Sequence, residues 1–157
     1  MEKLFVKYDI AQVLEELGFD EPYFGYYTES KLLHLGGRVG NIDDVTINKK
    51  YVDDICQNDN ACLAPLYQQV ISWFREEHQI YIGVLPYRNN EDNIELCWYY
   101  TLVIDDEDLP SIFCNADDLG ASRDNYNTPD EARDAAIQKA IKIVKNRLIG
   151  KVRQFFE

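Results

Sequence analysis

At 157 residues, with 46% apolar and 13% aromatic side chains, the chain has the size of one domain and too much hydrophobic material to be disordered. Sixteen Lys and Arg against 28 Asp and Glu give a formal charge of -12, which repels phosphate backbones and anionic lipid, so neither direct nucleic-acid binding nor membrane association is expected. No segment approaches the roughly 18 apolar residues of a membrane span, the opening MEKLFVKYDI lacks the apolar run of a signal peptide, and Cys56, Cys62, Cys97 and Cys114 follow no paired spacing, which together predict a cytoplasmic protein carrying thiols.

Asp9 reads as the N-cap of a first helix, with Gln12 completing a capping box, Ile10, Val13, Leu14 and Leu17 as its apolar stripe, and Gly18 as its stop. Tyr23 to Tyr27 and Lys31 to Leu35 then read as a hairpin around the turn Thr28-Glu29-Ser30, closed by Gly36-Gly37. Residues 38 to 61 carry weak signals and read as a connection with one short element. From Ala64 the spacing of Leu66, Val70 and Phe74, with Tyr67, Ile71 and His78 half a turn round, predicts an amphipathic helix with Pro65 in its first turn.

From Gln79 the period shortens to two. Ile80, Ile82 and Val84 alternate with Tyr81, Gly83 and Leu85, and after the polar turn at 88 to 93 a second alternating run from Glu95 to Ile104 predicts an antiparallel partner. A loop-rich stretch leads to Thr128, which caps a last helix over Pro129 to Leu148, with Asp130 and Glu131 at the positive end of its dipole. Its predicted buried stripe is Ala136, Ile137, Ala140, Ile141, Val144 and Leu148. Residues 131 to 157 hold a local excess of +4, and everything before them sums to -16.

Helix, hairpin, helix, hairpin, helix is the pattern of an α+β two-layer sandwich: a mostly antiparallel sheet of two hairpins packed by three helices, in a single α+β domain over 1 to 157.

Chemical motifs are sparse. His34 and His78 lie in unrelated elements, Gly36-Gly37-Arg38-Val39-Gly40 lacks the Lys-Ser or Lys-Thr of a phosphate loop, and there is no nucleophile elbow or calcium-loop spacing. No metal or cofactor is expected. The acidic run Asp105 to Asp108 reads first as a solvated strand end that discourages edge pairing. Aromatic rings fall on both faces of the strands: Tyr23 and Tyr27 share one face of the first hairpin, Phe24 and Tyr26 the other, and Trp98, Tyr99 and Tyr100 follow one another on the long strand. Outward rings beside carboxylates suit protein contact, because Tyr combines large contact area with a polar handle. Tyr23, Tyr27, Tyr99, Asp105, Asp106 and Asp108 are the candidate contact residues, and the partner expected is a protein. The alternative is a small-ligand-binding protein or metal-dependent enzyme whose site is built from loops 38 to 61 and 105 to 127.

Three blocks in order, KLFVKYDIAQVLEELGFDEPYFGYY, APLYQQVISWFREEHQIYI and YNTPDEARDAAIQKAIKIV, resemble a group of small uncharacterised proteins encoded by bacteriophages, prophages and mobile elements. The resemblance brings no activity, cofactor or catalytic residue. It implies a setting, the cytoplasm of a bacterial host, and an accessory role exercised by binding a host or phage protein.

Overall fold

The computed structural model describes residues 2–21, 23–36, 47, 52–53, 56, 61–88, 96–104, 111–114 and 126–154. Among them the fold is α+β, with three α-helices and two antiparallel sheets, as the alternation of periods predicts. The two hairpins lie in separate sheets, each with a third strand. The chain forms two compact units, Met1–Val70 and Ile71–Glu157, each with one of these sheets.

In the first unit, a short 3-10 turn at Glu2–Leu4 precedes helix α1, Tyr8–Glu16. Ile10, Ala11 and Leu14 are buried, and Gly18 ends the segment with φ +88, a backbone conformation that costs glycine nothing. Asp9 is not the cap. Lys7 holds that position without a side-chain bond, Asp9 lies within the first turn and pairs with Lys31, and Gln12 donates instead to the Tyr8 hydroxyl at 2.8 Å. Strands β1, Gly25–Tyr27, and β2, Leu33–Leu35, form the expected hairpin, with Gly25 opposite Leu35 and Tyr27 opposite Leu33. A side chain at Gly25 would stand 2.8 Å from the His34 carbonyl, so the centre of this small sheet requires glycine.

Strand β3, Cys62–Leu63, pairs on the other side of β1 and α1 packs on it. A two-residue strand leaves no periodic trace, and the sequence reading assigned no strand to Cys62 and Leu63, between the connection at 38 to 61 and the helix from Ala64. Helix α2, Tyr67–His78, consequently starts later than expected, and Pro65 precedes it, its carbonyl accepting a 3.0 Å bond from Val6 N–H. Gln69 caps this helix by accepting from the Leu66 N–H at 3.0 Å.

In the second unit, strands β4, Ile80–Arg88, and β5, Leu96–Ile104, pair over nine residues without a bulge, from Ile80 opposite Ile104 to Arg88 opposite Leu96. A further strand, β6, Ser111–Cys114, extends the sheet beyond β5 where the sequence reading had a loop, so among the described residues β4 and β6 are its outer strands. Helix α3, Pro129–Gln154, lies on β5 and β4. Its start follows the sequence closely: Glu131 N–H donates to Thr128 Oγ1 at 3.2 Å, while the Glu131 carboxylate accepts from the N–H groups of Thr128 and Asn127. Ala136, Ile137, Ala140, Ile141 and Val144 are buried as predicted, but Leu148 is 48% exposed and the helix runs on past it. The small side chains Ala132, Ala136 and Ala140 are fully buried, which lets the helix backbone approach the sheet closely. No helix among the described residues is long and apolar enough to cross a membrane.

Candidate functional site

Strict alternation along β4 and β5 divides their side chains between two faces. Ile80, Ile82 and Val84, opposite Ile104, Leu102 and Tyr100, face the helix; Ile80, Leu102, Ile104 and Tyr100 are buried. The opposite face is built from the pairs Tyr81 with Val103, Gly83 with Thr101, Leu85 with Tyr99 and Tyr87 with Cys97. None of these eight residues is charged, in a chain of which 28% is charged. Tyr81, Leu85 and Val103 are 43%, 45% and 38% exposed, and the remaining five are half-buried. Tyr87 and Tyr99 meet edge to face with ring centres 5.9 Å apart, so each ring helps to hold the other in place. Gly83 leaves room for its cross-strand partner, since a Cβ there would stand 2.7 Å from Thr101 Oγ1.

The sequence candidates fare differently. Tyr23 and Tyr27 face the core rather than a partner. Tyr23 is 2% exposed and its hydroxyl donates to the Phe19 carbonyl at 2.8 Å; Tyr27 is 8% exposed and its hydroxyl donates to the Val6 carbonyl at 2.6 Å. Each ring is therefore an internal prop whose polar end is satisfied by main chain. Burial, seconded by the neighbouring carboxylates of Glu15 and Asp20, pushes the Tyr23 phenol well up, so it stays neutral. The outward rings of that strand are Phe24, which is exposed, and Tyr26, which stacks on His34 at 5.2 Å. Tyr99 does sit on the uncharged face. Asp105, Asp106 and Asp108 lie outside the described residues, as do most of loops 38 to 61 and 105 to 127.

His78 closes α2, its ring edge-on to Trp73 at 4.5 Å. Cys56, Cys62 and Cys97 are thiols rather than half-cystines. Among the described residues, no group of three or more His, Cys, Asp or Glu is placed to hold a metal ion. A cavity of about 340 Å³ in the first unit is lined by Tyr8, Asp9, Tyr27, Lys31 and Leu33 among others. Two of its charged groups answer each other: Lys31 Nζ lies 2.8 Å from Asp9 and 5.1 Å from the centre of the Tyr8 ring.

The residues missed by sequence reasoning are Tyr81, Leu85 and Val103. Their signal was available in the alternate positions of two paired strands, which carry no charge on one face. No protein-family model, curated protein or solved structure matches this chain.

Proposed function

We infer that the chain is a small acidic accessory protein that acts by binding another protein through the outer face of strands β4 and β5. The observation that carries this reading is the uncharged surface formed by Tyr81, Leu85, Tyr99 and Val103, in a molecule whose formal charge is -12. A contiguous apolar patch edged by polar surface marks an interaction site more often than bare exterior, and Tyr with aliphatic neighbours is the composition of an interface centre. The acidic remainder defines the partner's chemistry: an apolar patch with Lys or Arg around it, drawn in by long-range attraction and held by burial of the patch.

The resemblance to proteins of phages and mobile elements supplies the setting of this proposal, a bacterial host cell in which the partner is a host or phage protein. The test is capture from lysates of lysogenic or infected bacteria, with the wild-type chain and its Val103→Glu variant as parallel baits. A protein retained by the first and lost from the second supports the reading; equal retention by both sinks it.

A further inference from the structure

Trp98 gives the hydrogen-bonding parity of the second sheet. Its N–H donates to the Tyr126 carbonyl at 2.9 Å and its carbonyl accepts from the Tyr126 N–H at 3.0 Å, so both main-chain groups of Trp98 point away from β4. In an antiparallel ladder these directions alternate along a strand. The pair Pro86 and Trp98 is therefore a non-hydrogen-bonded one, and the β4–β5 ladder runs through the pairs of Tyr81, Gly83, Leu85 and Tyr87. The N–H and carbonyl groups of Ile80, Ile82, Val84 and Arg88 point the other way, to the side of β4 on which no strand is placed among the described residues. Pro86 belongs to the same set. Its missing N–H costs the β5 ladder nothing, which is why proline is accommodated in mid-strand here.

An outer strand of nine residues is ordinarily blunted by charged side chains, proline or a bulge. Here the pairing is regular, Arg88 is the only charge, and Pro86 removes a single donor. We propose that β4 pairs antiparallel with β4 of a second copy of this chain, across a two-fold axis at Val84, joining two three-stranded sheets into one of six strands.

The strand is complementary to itself in that register. Val84 meets its own copy as a hydrogen-bonded pair, Ile82 donates to the carbonyl of the incoming Pro86, and Ile80 lies opposite Arg88. On the outer face Tyr81 falls opposite Tyr87, an aromatic cross-strand pair, and Leu85 falls opposite Gly83. Two molecules of charge -12 repel wherever carboxylates meet, but β4 itself carries none. The contact is isologous, so it closes at two copies. It stands apart from the partner-binding reading, which is tested on β5.

Sedimentation over a dilution series, combined with amide hydrogen exchange, tests the proposal. The wild-type chain is expected to reach twice 18.3 kDa, with the Ile82 and Val84 amides gaining at least about tenfold protection as dimer forms. Val84→Pro removes the central donors while sparing the β5 ladder, and is expected to give a folded monomer. A wild-type chain monomeric at every concentration overturns the proposal, as does a Val84→Pro chain that still dimerises. Should Val84→Pro fail to fold, the exchange data decide alone: a dimer in which Ile82 and Val84 exchange as fast as in the monomer is made elsewhere, and the proposal falls.

Discussion

The guanidinium of Arg147 donates a 2.9 Å hydrogen bond to the main-chain carbonyl of His78, tying the C-terminal half of α3 to the last residue of α2, 69 positions earlier in sequence. The carbonyl is one of those a helix end leaves without an internal partner, and a cation there also meets the negative end of the dipole. The chain reverses at this point. Gln79 follows with φ +52, a left-handed conformation in a residue other than glycine, and Ile80 begins the strand.

Arg147→Ala is expected to lower the stability of the second unit by about 1.5 to 3 kcal/mol, the range for a hydrogen bond involving a charged group. Urea unfolding followed by the fluorescence of Trp73, which packs against His78, checks this. Arg147→Lys should recover only part, because a lysine lacks the planar fork.

Thr128→Ala is expected to cost about 1 kcal/mol through loss of the cap on α3, and Glu131→Ala to be destabilising as well, since it frees the N–H groups of Thr128 and Asn127. Asp9→Ala is the contrast: its carboxylate caps no helix and pairs with an exposed lysine, so the unfolding midpoint should not move measurably.

Stability should fall in alkali because of Tyr23. Its phenol is held above the ordinary value of 10.0, so the unfolded chain gives up this proton before the folded one does. The stabilisation is whole below pH 10 and is lost as pH rises toward the folded value, at a slope of up to about 1.4 kcal/mol per pH unit. Tyr23→Phe should be less stable near neutrality by about 1 kcal/mol, for the bond to Phe19, and should show a shallower alkaline decline. Urea midpoints for both chains at rising pH give the comparison.

Where signals were local they were legible. The capping box of α3 lies within four consecutive residues, Thr128 to Glu131, and the alternation of β4 and β5 needs only neighbours on one strand. Asp9 had the same local credentials as Thr128, yet Lys31, held at φ +61 by the turn of the first hairpin, reaches it across 22 positions, a tertiary effect no window detects. Strands β3 and β6 have two and four residues and are defined by what they pair with. For the site, alternation separated the two faces of each strand without saying which was inward. On β1 and the residues leading into it the inward set is Tyr23, Gly25 and Tyr27, where close packing on the glycine and main-chain acceptors for both hydroxyls outweigh the polarity of tyrosine. On β5, Tyr100 went in with Leu102 and Tyr99 stayed out.

The most direct test of the binding account is the affinity of the captured partner for the wild-type, Val103→Glu and Tyr99→Lys chains, measured in low and high salt. If the uncharged face of β4 and β5 is the contact, both substitutions weaken binding by about tenfold or more, or roughly 1.4 kcal/mol, in chains that remain folded at the temperature of the measurement. Wild-type affinity then survives a rise from about 0.1 M to 1 M salt, over which screening shortens from about 10 to 3 Å. Unchanged affinity in both variants, together with wild-type binding that collapses in salt, would contradict the account and place the contact on the carboxylates instead.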